Sequence, residues 1–130
     1  MFVEGTRSTD GVFKPHRAKT GAATIAHRSK AYVVPVGIIG SHNAFPKGSK
    51  LPKRCHIDIV FGDPLDTEEF FNNKLNSQTA KVFTEKIVRS IDELLPENQK
   101  ALPESWERLR KNDINIWTSF ASVDNKLLTW

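Results

Sequence analysis

Ala31-Tyr32-Val33-Val34-Pro35-Val36-Gly37-Ile38-Ile39 is the longest apolar stretch of the chain. Its β-branched residues favour extended backbone, and the run is almost continuously apolar. That predicts a strand buried on both faces, as in a parallel sheet covered by helices. Pro35 and Gly37 interrupt the run, and it falls far short of the roughly 20 residues a membrane-spanning helix needs. Before it, Thr20 is placed to cap a helix from Gly21 to Ser29, whose Ala22, Ala23, Ile25 and Ala26 suit close packing on a sheet. After it, residues 40–54 read as a long loop with Pro46, Gly48 and Pro52. His56 to Phe61 then alternates, with Ile57, Ile59 and Phe61 on one side, which predicts a second strand ended by Gly62-Asp63-Pro64.

The C-terminal half reads as helical. Asp66 or Thr67 with Glu69 marks the start of a helix carrying Phe70 and Phe71. The clearest helix runs from Ser77 to Leu95. Ala80, Phe83, Ile87, Ile91, Leu94 and Leu95 recur there at spacings of three and four, and Pro96 stops it. Glu104 to Lys111 suggests one or two helical turns bearing Trp106 and Leu109. The end of the chain (Ile114, Ile116, Trp117, Phe120, Leu127, Leu128, Trp130) is apolar enough to dock on something. The order loop–helix–strand–loop–strand–helix–helix predicts an α/β fold. Two strands do not make a stable sheet alone, so the expectation is a partial sheet, with residues 1–95 as one body and residues 96–130 as a partly helical tail.

Composition narrows the classes. The chain has 130 residues, 38% hydrophobic and 26% charged, which fits a globular chain and neither a disordered nor a collagen-like one. One cysteine, Cys55, excludes an intrachain disulfide and a cysteine-only zinc site. No His-x-x-x-His or Cys-x-x-Cys spacing joins His16, His27, His42 and His56 into a metal site, so no metal is expected. Met1-Phe2-Val3 meets Glu4 at once, unlike a signal peptide.

The net charge of +4 is unevenly spread. Residues 1–57 hold ten Lys/Arg and two acids, a net of +8, and residues 58–130 hold nine Lys/Arg and thirteen acids, a net of −4. A basic half implies an anionic partner, either a phosphate ligand, an anionic lipid surface or nucleic acid, or else a merely solvated face. No aromatic platform interleaves with the basic residues, so nucleic acid is the poor fit. Lys47, Lys50, Lys53 and Arg54 form a basic loop suited to lipid headgroups or a donor's phosphates.

Phe2-Val3-Glu4-Gly5-Thr6-Arg7-Ser8 carries the sharpest chemistry. Gly5 permits a tight turn or a close backbone approach. Thr6 and Ser8 offer hydroxyls, and Arg7 offers a planar fork for phosphate oxygens. Glu4 is placed to hold Arg7 or to accept from a substrate hydroxyl. The same residues also fit an ordinary polar turn. Asp10-Gly11 follows as a turn dipeptide, and Lys19-x-Gly21-Ala22-Ala23 leads into the first helix.

In context this string resembles the glycerolipid acyltransferase family of the lysophosphatidic acid (1-acylglycerol-3-phosphate) acyltransferase type. The family's Phe-Pro-Glu-Gly-Thr-Arg-Ser motif, which binds the acceptor phosphate, has Val3 here in the proline position. Lys19-x-Gly21-Ala22 matches the family's Lys-x-Gly-Ala step, Val33-Val34-Pro35-Val36 its apolar strand block, and Phe61-Gly62-Asp63-Pro64 its later strand exit. The likeness covers about residues 2–65, with a looser match to the helix at 77–95. Ala18 stands where an aromatic is usual, and Lys30 where a helix-ending glycine is common.

The resemblance implies a mostly parallel sheet flanked by helices, of which this chain is the C-terminal half. It implies acyl transfer, for phospholipid biosynthesis, from acyl-coenzyme A or an acyl carrier protein to a phosphate-bearing lysolipid. It implies no bound cofactor, and a cytoplasmic chain in peripheral contact with an anionic membrane. It assigns acceptor binding to Glu4, Gly5, Thr6, Arg7 and Lys19. The family's catalytic His-x-x-x-x-Asp is a different matter. Five residues after His16, His27, His42 and His56 come Gly21, Tyr32, Lys47 and Phe61. No catalytic residue is therefore assigned, and the chain is expected to be inactive alone. A non-catalytic binder of lipid phosphate or membrane surface is the alternative, and an unrelated nucleotide-binding α/β domain is a further one.

Overall fold

Helix α4 (Ser77–Glu93) organises the core of the computed structural model, which describes residues 1–111. The apolar end segment noted above, from Ile114 to Trp130, lies outside the described residues. Asn76 caps α4, accepting from the Thr79 N–H, while Thr79 Oγ1 accepts from the Asn76 N–H. This reciprocal box satisfies two N-terminal groups that the helix itself leaves unpaired. The stripe that the three–four spacing picks out then faces inward: Ala80, Phe83, Ile87 and the neighbouring Val88 are buried, and Ile91 packs beside them.

Two helices close on α4. Helix α1 (Gly21–Ser29) buries Ala23 and Ala26 and packs directly against α4. Small side chains allow that close approach. Helix α3 (Glu68–Asn72) supplies Phe70, which stacks on Phe83 with ring centroids 4.0 Å apart. His27 of α1 meets Phe70 edge-on at 5.1 Å, so the three helices share one aromatic contact. Thr20 does sit at the N-cap of α1, but its side chain makes no capping bond. Lys30 ends α1 in the left-handed conformation, φ 54°, where glycine is the usual residue.

Strands β1 (Val36–Ile39) and β2 (Asp58–Phe61) are shorter than the apolar runs that predict them. Pro35 has no N–H to donate to a ladder. The extended backbone before it instead accepts isolated bonds, from Gly62 N–H to Pro35 O and from Leu65 N–H to Val33 O.

The strands pair antiparallel, Val36 opposite Phe61 and Ile39 opposite Asp58. The mostly parallel sheet expected above is not what the described residues form. The link between the strands explains this. A parallel return needs a crossover, usually a full helix. Here the link holds only the single-turn helix α2 (Ser41–Ala44), and it ends beside its own start. Gly40, at φ +83°, lies so close to the His56 carbonyl that a Cβ there would sit 2.6 Å from that oxygen. Only glycine fits at that closure.

The expectation of burial on both faces also needs correcting. One face, carrying Gly37, packs on Leu94 and Leu95 beyond the end of α4. The other face is largely exposed.

Residues 96–111 fold back on the N-terminal part. Phe13 N–H donates to Gln99 O at 2.9 Å, and Ala101 N–H donates to Asp92 Oδ1 at 2.7 Å. Helix α5 (Pro103–Lys111) contains the helical turns expected around Trp106 and Leu109. It packs on the short 3-10 turn at Pro15–Arg17. The Arg89 guanidinium lies 5.1 Å over the Trp106 ring, joining α5 to α4.

Candidate functional site

The segment Phe2 to Arg7 is fixed at one end by burial. Val3 belongs to the core, so the polar residues after it are held at the surface on an anchored base. Gly5 N–H donates to Phe2 O at 3.2 Å and closes a turn with Gly5 at φ +67°. That is left-handed backbone, which glycine adopts without penalty. Lys19 N–H donates to Val3 O at 3.0 Å, and this bond sets Lys19 beside the turn. The Lys19 side chain lies over Gly5, its Nζ 3.5 Å from where a Cβ on Gly5 would be. A turn without a side chain and a lysine ammonium thus share one exposed spot. Such a pairing suits an anion that must approach backbone closely.

The other predicted residues go to different partners. Thr6 is exposed at the tip. Glu4 does not hold Arg7. Its Oε1 accepts from the Lys14 N–H at 2.9 Å, and the cations facing it are Arg17 and Lys14. Burial pushes the Glu4 carboxyl above its usual range, partly opposed by that hydrogen bond and those charges, while Asp10 adds to the rise. Arg7 is steadied by Phe45 instead: Nη1 donates to Phe45 O at 3.3 Å, and the guanidinium lies 4.9 Å over the ring. Stacking a planar cation on a ring fixes its plane and leaves its other edge available to an anion.

The structure adds Phe45 and Ser105, which the sequence did not single out, and gives partners to residues that it did. Phe45 sits in the stretch read as loop, and nothing local marks it as a platform. His42 packs on Gly11, whose φ of +76° confirms the Asp10-Gly11 turn. Val12 N–H donates to Asp10 Oδ1 there, and Lys14 pairs with the other Asp10 oxygen and lowers that carboxyl. His16 Nδ1 lies 2.7 Å from the buried Ser105 hydroxyl of α5. Burial, then the charges of Arg108, Arg17 and Lys14, depress the His16 pKa.

Among the described residues, no group of three or more His, Cys, Asp or Glu is placed to hold a metal ion. Cys55 is exposed, with its thiol 3.6 Å from Gly40 O, and His56 Nε2 lies 2.7 Å from Asp58 Oδ1. No helix among the described residues is long and apolar enough to cross a membrane.

Residues 1–39, from the glycine turn through β1, match the family model Acyltransferase. Over that segment the chain is similar to the acyltransferase family. Over 102 residues, 78% of its length, it is 32% identical to a 1-acyl-sn-glycerol-3-phosphate acyltransferase of Limnanthes douglasii and 31% identical to one of Cocos nucifera. A Limnanthes alba protein of the same name is 32% identical over the same share. The chain spans about a third of the length of these curated relatives, 34%, 31% and 34% respectively. No solved structure matches. The stretch matched to the acyltransferase model contains Glu4, Gly5, Thr6, Arg7 and Lys19 together.

Proposed function

We propose that this chain supplies the acceptor-binding part of a lysophosphatidic acid acyltransferase. In this reading the phosphate of a 1-acylglycerol phosphate sits against the Gly5 turn. Lys19 contributes the point charge and Arg7 the planar fork. The observation that carries the proposal is the Lys19 ammonium lying over a glycine turn inside the segment matched to the acyltransferase model. Glu4 serves indirectly, by fastening the turn to the Lys14 backbone. The names of the relatives support the substrate class. The acyl group would come from acyl-coenzyme A or an acyl carrier protein. The basic half of the chain suits work at the anionic cytoplasmic face of a membrane, for phospholipid synthesis.

Acyl transfer to a hydroxyl needs a general base beside that hydroxyl. No histidine of the chain has an aspartate five residues later, so the base is proposed to come from outside residues 1–130. Calorimetric titration with lysophosphatidic acid below its micellar concentration tests the binding claim. The chain is expected to bind it at least tenfold more tightly than the matching monoacylglycerol. Arg7→Ala and Lys19→Ala should each abolish most of that preference. Equal affinity for the two lipids would refute the phosphate site. Acylation of lysophosphatidic acid by the purified chain, well above a heat-killed control, would refute the external base.

A further inference from the structure

The link between β1 and β2 has a built shape. Lys53 N–H donates to Ala44 O at 2.6 Å, and Ser49 N–H donates to Pro46 O at 3.1 Å. Ser49 Oγ donates to Leu51 O at 3.1 Å, and Gly48 takes the left-handed backbone at φ +91°. These bonds hold residues 45–54 as a folded surface loop. Lys47, Lys50, Lys53 and Arg54 on this loop are exposed, and none of the four forms an ion pair among the described residues. No acid offsets them nearby in sequence, since residues 11–57 contain neither Asp nor Glu. Among these cations Leu51 is 76% exposed. A single exposed leucine is ordinary on a protein surface. Its setting, between cations on either side in a hydrogen-bonded loop, is what distinguishes this one.

We infer that this loop is a membrane-contact element: its four cations meet an anionic phospholipid surface while Leu51 enters the boundary of the acyl chains. Charge complementarity selects the occupant, because each basic residue near an anionic bilayer adds to the attraction. Leu51 selects a lipid surface over other anions. A soluble phosphate compound or a nucleic acid backbone offers it no apolar partner, whereas a bilayer takes cations and an apolar side chain from one element. Residues 112–130 do not supply the counter-charge, since Asp113 and Asp124 against Lys126 give a net of only −1. The loop also meets the proposed acceptor site. Arg7 donates to Phe45 O at 3.3 Å and stacks on the Phe45 ring, at the foot of the loop. A lysolipid leaving the bilayer would thus reach Arg7 beside the element that touches the surface. The inference rests on the proposed function for its lipid setting, and its test is separable from that of the phosphate site.

The test is flotation of the full 130-residue chain with phosphatidylcholine–phosphatidylserine vesicles. Phosphatidylserine supplies negative charge without the phosphate monoester of lysophosphatidic acid, so binding does not depend on the Gly5 turn. The wild-type chain is expected to float with these vesicles, to float less as salt rises, and not to float with phosphatidylcholine alone. At about fivefold per cation removed, Lys50→Gln with Lys53→Gln should weaken binding roughly 25-fold. Leu51→Ser should weaken it at least fivefold without changing the charge. Arg28→Gln with Arg110→Gln makes the same change in net charge at exposed positions outside the loop and should bind within about twofold of the wild type. All these side chains are exposed, and circular dichroism melts confirm that the variants are folded. Lys19→Ala should lose lysophosphatidic acid and still float, so the phosphate site can fail while the loop stands. No flotation of the wild-type chain would overturn the inference. So would equal losses in the two paired variants, which would mean diffuse charge, or wild-type binding by Leu51→Ser. Titration with coenzyme A is the last arm. Binding of coenzyme A that the Lys50–Lys53 pair abolishes, by a chain that ignores the vesicles, would make the loop a site for soluble phosphates and overturn it as well.

Discussion

The Lys19 side chain lies across Gly5, its ammonium nitrogen 3.5 Å from the point a Cβ on Gly5 would occupy. The room for that contact is ordinary, so the constraint on residue 5 is conformational. A φ of +67° costs a non-glycine residue about 1–2 kcal/mol. Gly5→Ala should therefore lower the thermal midpoint by roughly 4 °C or more. It should also weaken lysophosphatidic acid binding, because the turn would move away from Lys19. A melt and a titration on the same preparation check both effects, and an unchanged midpoint would show that the turn relaxes freely.

Lys30 holds the left-handed position that ends α1, at φ 54°. Its ammonium donates to Phe71 O at 2.6 Å and lies 5.1 Å over the Phe71 ring. Those exposed contacts offset part of the backbone cost. Lys30→Gly removes both the strain and the contacts, and a net gain of about 0.5–1 kcal/mol is expected. Chemical denaturation measures this directly. A loss of stability would mean that the tie from α1 to α3 outweighs the backbone strain.

His16 sits between the 3-10 turn at Pro15–Arg17 and α5, bonded to Ser105 and faced by Arg108, Arg17 and Lys14. Burial and these cations hold its pKa below the usual 6.5. The unfolded chain then binds the proton more readily, so stability falls as pH drops below about 6.5 and through the depressed folded value. His16→Asn keeps a polar partner for Ser105 and cannot charge. Thermal midpoints from pH 7.5 to 4.5 should show the wild type losing more than the variant on the acid side. Parallel curves would rule out His16 as the source.

Glu4 shows the opposite linkage. Its folded pKa is raised, chiefly by burial, so ionisation opposes folding. Its contribution is favourable below the unfolded value and is lost as pH rises through the folded one. Glu4→Gln keeps an acceptor for the Lys14 N–H. It should match or slightly exceed wild-type stability at pH 7, and the gap should close near pH 4. A large loss at pH 7 would mean that the charge itself, facing Arg17 and Lys14, holds the turn.

The elements were largely legible, because each answers to a local rule. The three–four spacing from Ala80 to Leu95 predicted α4, and Pro96 its end. Helix α1 and the turns at Gly5 and Asp10-Gly11 were equally readable. The strand runs were placed correctly but read too long, since Pro35 removes a donor without changing the apolar pattern. The resemblance assigned Gly5 and Lys19 to acceptor binding, and their contact, with the Lys19 N–H to Val3 O bond beside it, appeared only in three dimensions. The expected Glu4–Arg7 contact was misplaced because four-residue proximity in sequence does not fix direction in a turn.

The chain's sequence by itself determined the longer helices and where the two strands lie, the basic character of the first half, and the glycine, arginine and lysine offered to an anion. Those properties depend on neighbours within about four residues and on composition. Tertiary structure alone decided the antiparallel pairing, the single covered sheet face, Phe45 as the platform for Arg7 and Ser105 as the partner of His16. Each of these joins residues 19 to 89 positions apart at its closest register. Such partners are set by the path of the connecting chain and by competition for buried surface, which no local pattern encodes.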